Sequence, residues 1–402
     1  MKIPTLYCIS IFSLLLFGGP NLIGAIGIDI KYYYAAIMLF CFPLILYNKK
    51  SVLKNKRLLW LLLFCTTYGL FFMYYDRSEG SRYTSLVIMS TPIFISAFPL
   101  SGNIKWHTDN YTLHKKITTL FMLFFMLETL MASAERILGF NILGWQMSEG
   151  ATIMMDSGTG FRSTSLHGHP LCNALIVSTS MAFILTSQIR MKIKLELWML
   201  GFFSILCFNT RSSIVGNAIM LIVFAIYTLR KGHDVSPKDK RILVSMIVVM
   251  ALVGTVLFFV LGFGSRLAEM GLFDDSSAMA RVDVFKVFDN YPLGDFLWGM
   301  DSLQYEYVLY YAGIEVTENF YIDYLLRNGI VFLVMYLLLY IRLIKRLYRG
   351  YDWFTKWFTG GTFILIASTN NSLSTLGIAL FLFLILIVIF NPTWKNNIMQ
   401  SF

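Results

Sequence analysis

The chain is cut into apolar runs by breaks that turn basic at every second position, and this alternation decides what it can fold into. The runs lie near 4–18, 32–47, 58–75, 83–100, 117–134, 170–187, 195–209, 212–229, 242–262, 319–341, 358–370 and 374–390. The strongest basic breaks are Lys49, Lys50, Lys54, Lys56 and Arg57; Arg230, Lys231, Lys238, Lys240 and Arg241; and Arg342, Lys345, Arg346, Arg349 and Lys356. Threaded as twelve spans with both ends inside, the chain places 23 of its 33 Lys and Arg in inner loops and 18 of its 23 acids outside. That is the bias that orients membrane helices. With 57% hydrophobic residues and a mean hydropathy of +0.65, the expectation is one polytopic, all-α integral membrane domain over 1–402 with about twelve transmembrane helices, N-in and C-in.

Sidedness also sorts the partners. The formal charge of +10 belongs to the inner face, where it suits anionic lipid headgroups, so nucleic acid is not an expected partner. The five Cys (Cys8, Cys41, Cys65, Cys172, Cys207) lie in or beside apolar runs without C-x-x-C spacing, so neither a disulfide framework nor a metal site is expected. Met1-Lys2 and the run after it read as a first helix; removing them as a signal peptide would put the 49–57 cluster on the wrong side.

Of the ten basic residues left outside, eight are Arg and only Lys31 and Lys286 are Lys. Orientation gives no reason for that choice, whereas a planar guanidinium that grips phosphate or carboxylate in a fork does. Two outer loops are long, 135–169 and 263–318, and their aromatic residues predict packed segments with short helices. The first ends in Arg162-Ser-Thr-Ser-Leu-His167-Gly-His169-Pro170. Pro170 suits a first helical turn whose free N–H groups favour an anion. Arg162 there is a phosphate ligand, or an Arg among headgroups on a solvated re-entry turn. His167 and His169 read as hydrogen-bonding turn residues, because no third metal ligand lies at a recognisable spacing.

Arg211 sits in Asn209-Thr-Arg-Ser-Ser213, a connector so short that two helices must form a tight hairpin. It points into a shared cavity or snorkels to the interface. In the second loop Arg281, within Ser277–Phe285, starts a surface helix; Arg266 is a weaker candidate of the same kind, and pairing with Asp283, Asp274 or Asp275 is the structural alternative for Arg281. Asn319, Asp323 and Arg327 follow at i, i+4 and i+8, a polar stripe with an ion-pair spacing, and the apolar run after it is too short to cross unless the stripe lies at membrane depth. Glu318, just above, is a candidate general base, or a helix N-terminal Glu favoured by the dipole.

These four stretches together resemble the O-antigen polymerase and O-antigen ligase superfamily: Arg162 to Pro170, Thr210 to Ser212, the Ser…Arg…Pro-Leu-Gly…Gly stretch from Ser277 to Gly299, and Glu318 to Ile330. The resemblance implies a GT-C-like fold in the bacterial inner membrane. It implies a glycosyltransferase that joins undecaprenyl-diphosphate-linked repeat units on the external face, without cofactor or metal. Arg211 and Arg281 would stabilise the diphosphate, Glu318 would take the acceptor proton, and Arg162, His169, Asn319 and Arg266 would bind substrate. Candidate protein partners are a chain-length regulator and a flippase. Glu318 stands where ligase members often carry His, which favours polymerase over ligase. A ligase acting on lipid A core or protein, a lipid-linked oligosaccharide flippase and a non-catalytic assembly scaffold are the other readings.

Overall fold

The computed structural model describes residues 3–76, 78–98, 108–143, 161–230, 236–259, 283–288, 293–314 and 317–392. Within them every regular element is helical. Each of the twelve apolar runs falls on a helix. Four helices are by themselves long and apolar enough to cross a membrane: Ile30–Tyr47 (α3), Lys56–Tyr75 (α5), Leu113–Leu138 within Thr108–Leu138 (α7), and Arg211–Arg230 (α10). Their exposed faces are apolar, with Leu39, Phe40, Trp60, Leu123 and Ile222 each more than half exposed. Such surface suits lipid and not water.

The centre is helix α8 (Pro170–Thr186), buried at every residue from Pro170 to Leu185. A helix with no polar face must be surrounded. It is enclosed by α7, α9 (Met191–Phe208), α10, α15 (Trp353–Ala367) and α16 (Ala379–Ile389). α16 is equally apolar and packs Phe381 and Phe383 against rings from its neighbours, with Phe363 and Phe383 stacked 4.1 Å apart. On the other flank α5, α6 (Glu79–Ala97) and α3 pack on one another. α1 (Ile3–Phe17) lies along α7 and α3, and α11 (Pro237–Phe259) against α9.

Short helices bridge the long ones: α2 (Pro20–Ala25) after α1, and α4 (Lys49–Lys54) between α3 and α5. The described part of the second long loop is itself packed, as its aromatic content predicts. A 3-10 turn, Val284–Phe288, and helices α12 (Leu293–Trp298) and α13 (Ser302–Ala312) enclose a small core of Val284, Val287, Phe296, Tyr305 and Val308, which rests on Ile322 and Leu326. α13 begins with a capping box between Asp301 and Gln304 and ends at Gly313, φ 69°. The expected surface helix around Arg281 is described only from residue 283 onward, where it is largely the 3-10 turn.

Helix α14 (Phe320–Leu347) carries the polar stripe and is broken at Gly329, φ 80° and ψ 164°. The break frees carbonyls that a continuous helix would satisfy. Met300 N–H donates to Leu326 O at 2.8 Å and the Tyr68 hydroxyl to Asn328 O at 3.0 Å. Two of the basic clusters meet near the C-terminal end of α14, where Arg346 lies within electrostatic reach of Arg57 and Arg349.

Candidate functional site

The segment 161–169 is not a solvated turn. Ser163, Thr164, Ser165, Leu166 and His167 are all buried, and the chain is drawn into the bundle by acceptors on the helices around it. Glu135, fully buried near the end of α7, accepts from Thr164 N at 3.0 Å, Ser165 N at 2.9 Å and the Ser163 hydroxyl through one oxygen, and from Ile142 N at 3.1 Å through the other. One turn pair back, Glu128 accepts from Leu166 N at 3.3 Å. Asn21 on α2 donates to Thr164 Oγ1 and Ser165 O, and Asn173 on α8 to Thr164 O. Loops seldom run buried because their backbone groups must be satisfied; here the satisfaction comes from two carboxylates and two amides. It holds Ser165 at φ 41° and Gly168 at φ 77°, a conformation rare for a non-glycine residue.

This clamp sets the candidate residues. Ser163 N–H donates to Cys207 O and Arg162 Nε to Phe208 O at 3.2 Å, so Arg162 is fastened to the last turn of α9. The next residue, Asn209, adopts the left-handed conformation, φ 52°, and closes the tight hairpin at whose far side Arg211 opens α10. His169 caps α8, its Nδ1 accepting from Leu171 N, with Pro170 in the first turn. Burial and then the Arg162 charge push the His169 imidazole down to about 4, so it is neutral at physiological pH.

From Arg211 the contacts continue to the other candidates. Thr369 donates to the hydroxyl of Ser212 at 3.0 Å, and its neighbour Asn370 accepts from Phe320 N through its carbonyl. Phe320 begins α14. Asn319 caps that helix, its Oδ1 accepting from Tyr321 N and Ile322 N, so it precedes the helical stripe and is occupied by backbone. Glu318, half-buried, is the residue before the cap. Arg162, His169, Arg211, Asn319 and Glu318, scattered over 158 positions of sequence, therefore sit on adjoining segments at one end of the helices.

At that end is a cavity of about 700 Å³ whose wall combines apolar side chains with Lys31, Tyr83, His169, Asn371, Ser372 and Thr375; of the candidate residues His169 lines it, whereas Arg162, Arg211, Glu318 and Asn319 do not. Lys31 pairs with Glu79. The Tyr83 hydroxyl accepts from Leu376 N at 3.0 Å and lies within reach of the Asp323 and Arg327 charges. Those two form the predicted pair, Nε to Oδ1 3.0 Å. The same Asp323 oxygen also accepts from the hydroxyls of Tyr305 at 2.7 Å and Thr317 at 3.1 Å, and the Arg327 guanidinium stacks 3.7 Å from the Tyr305 ring centre. Asp323 is thus a latch between α14 and α13.

Arg266 and Arg281 lie outside the described residues. Sequence reasoning missed Glu128, Glu135 and the polar segment 368–377. The first two had a signal: acids seven residues apart in an apolar run share a helix face and must point inward. The Ser-Thr-Asn-Asn-Ser-Leu-Ser-Thr sequence had one too, since it interrupts two apolar runs for longer than a hairpin needs. Among the described residues no cluster of three or more His, Cys, Asp or Glu could hold a metal ion, and the five cysteines are free and buried. Comparison of the chain with protein-family models, curated proteins and solved structures found no match.

Proposed function

We propose that this chain is a membrane glycosyltransferase of the O-antigen polymerase type, crossing the inner membrane twelve times with both ends inside and joining lipid-diphosphate-linked repeat units at its external face. One observation supports the reading: the buried 161–169 clamp seats Arg162 and neutral His169 on segments that adjoin the Arg211 hairpin and the Glu318–Asn319 cap, and His169 faces a cavity at that end. Guanidiniums, imidazole, hydroxyls and amides suit a ligand that is anionic at one end and hydroxyl-rich at the other. The meeting of two basic clusters near the C-terminal end of α14 supports the orientation.

In the proposed reaction an acceptor hydroxyl loses its proton to Glu318 and attacks the donor's anomeric carbon as the bond to the diphosphate oxygen breaks. The sugar configuration inverts and undecaprenyl diphosphate departs. Diphosphate is already a competent leaving group, so the work falls to charge neutralisation by Arg211 and Arg281 and to positioning by Arg162 and His169. Polymerase is preferred over ligase because an acid, and not His, precedes Asn319.

The test uses the full chain in proteoliposomes with an undecaprenyl-diphosphate-linked repeat unit as the only glycan. Formation of longer glycans that remain on undecaprenyl diphosphate is expected, with loss on Arg211→Lys at unchanged protein level. Transfer only to added lipid A core would establish ligase instead, and no transfer to either would sink the enzymatic reading.

A further inference from the structure

A second cavity, of about 620 Å³, lies between α14, α15 and α16, away from the clamp. Its wall is made of aliphatic and aromatic side chains, among them Tyr336, Tyr340, Phe363, Leu380 and Phe383. Its outer lips are exposed: Ile341 is 45% accessible and Ile364 57%. The groove thus opens sideways, to where lipid surrounds the helices. Its volume falls in the range of small-ligand pockets, ~300–1,000 Å³.

The groove is apolar along its length and cationic at one end. Lys345 and Lys356 line its mouth, both exposed, and among the described residues neither makes an ion pair. Trp353 and Trp357 stand beside them, 71% and 64% exposed. Exposed Trp with Lys is the signature of a membrane–water boundary. On α15 the wall runs from Lys356 to Ala367, about 16 Å at 1.5 Å per residue, room for an acyl chain as long as one leaflet of a ~30 Å hydrocarbon core, and on α14 the lining continues to Tyr321 and Phe320.

A lipid with a negative head and a chain one leaflet long fits those dimensions and that charge. We propose that this groove is a binding site for an anionic phospholipid, its phosphate held by Lys345 and Lys356 and one acyl chain laid between α14 and α15. Basic pockets between helices on the cytoplasmic side are where such headgroups dock. A polyprenyl donor would place its diphosphate at the opposite end, near Glu318, where the groove is lined by Phe320 and Tyr321, whereas the lining cations are Lys345 and Lys356. The site is independent of the glycosyl-transfer reading, and binding alone tests it.

Gly361 supplies the decisive variant. A Cβ there meets no atom within 4 Å, so Gly361→Leu grows into the groove without a clash and replaces a helix glycine by a better helix former. Native mass spectrometry of the full chain in detergent, titrated with dioleoylphosphatidylglycerol or dioleoylphosphatidylcholine, is the measurement. The wild type is expected to retain one phosphatidylglycerol with a preference over phosphatidylcholine on the order of 30-fold, the contribution of two near-surface lysines. Gly361→Leu should abolish retention of both lipids, while Gly361→Ala, one methyl larger, keeps it. Lys345→Gln with Lys356→Gln, at exposed positions that do not disturb the fold, should equalise the two lipids. Unchanged phosphatidylglycerol retention in both Gly361→Leu and the lysine pair overturns the proposal, and so does equal retention of the two lipids by the wild type. Displacement of phosphatidylglycerol by undecaprenyl diphosphate, with no effect of the lysine pair, would assign the groove to the donor's chain and overturn it as well.

Discussion

Gly299 and Gly329 meet backbone to backbone: a Cβ on Gly329 would lie 2.6 Å from the nitrogen of Gly299 and 2.4 Å from the carbonyl oxygen of Leu297, and one on Gly299 2.5 Å from Arg327 O. The segment that leads into α13 therefore crosses the break in α14 at a distance no side chain permits. Both glycines also need φ near +80 to +90°. Gly329→Ala should destabilise by roughly 1–3 kcal/mol from conformation alone, with the backbone clash added. Gly299→Ala should behave alike, and the double variant should cost less than the two single losses combined, because either substitution already opens the crossing. Thermal unfolding of the three variants in detergent decides this; simple additivity would show that the two glycines do not share one contact.

Glu135 should prove indispensable to the site without touching substrate. Its removal strands the Ser163 hydroxyl and the Thr164 and Ser165 amides in a buried loop, at roughly 1–3 kcal/mol for each unsatisfied group. Glu135→Ala is expected to lower the amount of folded protein and to expose the 161–169 segment to protease. Glu135→Gln keeps one acceptor oxygen for the loop but turns its amide N–H groups toward Ile142 N and should fall between wild type and Glu135→Ala, whereas Arg162→Ala should leave protease resistance intact while activity falls. Wild-type protection in Glu135→Ala would show that the loop is held by Asn21 and Asn173 alone.

The positions of the long helices were legible in the sequence because apolar runs and basic breaks are local signals, as were the Asp323–Arg327 pair, four residues apart, and the Asn209 hairpin. What was not legible depends on distant partners. Nothing local says that the Ser-Thr-Ser stretch after Arg162 is buried, since the carboxylate acceptor that holds it lies about 30 residues earlier on α7 and the amide donor some 140 earlier on α2. The break in α14 likewise needs Met300 and Tyr68 to satisfy its carbonyls. The two long loops are expected from their aromatics, but the polar 368–377 segment that lines the cavity lies across the ends of two apolar runs, where hydropathy alone does not set it apart.

His167 makes the fold sensitive to acid. It is buried, its Nε2–H donates to Leu16 O at 3.1 Å, and its ring meets Phe124 edge-on. Burial holds its pKa at about 4, below the usual value near 6.5. Between those values the unfolded chain binds a proton that the folded chain refuses, so stability is complete above about pH 6.5 and falls as pH drops toward 4. His169 adds in the same direction. The midpoint of unfolding should fall between pH 6.5 and 4.5, and His167→Gln, which keeps a donor but cannot titrate, should flatten that slope even if its stability at pH 7 is lower. An identical pH slope in wild type and variant would mean that other groups set the acid limit.

Glu318 and Asp323, five residues apart, are expected to fail in different ways when neutralised. Asp323 gathers Tyr305, Thr317 and Arg327 on a single oxygen, so its carboxylate is committed to the latch between α14 and α13. Asp323→Asn leaves Arg327 without its counter-charge, a cost on the order of 3 kcal/mol at membrane depth, and should appear as reduced protein abundance. Adding Arg327→Gln should restore part of that abundance. Glu318 stands outside the helix, one residue before the Asn319 cap, whereas the carboxylate that holds Tyr305, Thr317 and Arg327 is that of Asp323. Glu318→Gln should accumulate normally yet form no polymer, while single repeat units still reach the surface. Chain length on gels and protein level by immunoblot, read in the same strains, separate the two. Normal polymer with Glu318→Gln, together with its loss at full abundance in Asp323→Asn, would move the base one helical turn deeper and make the latch the catalytic carboxylate.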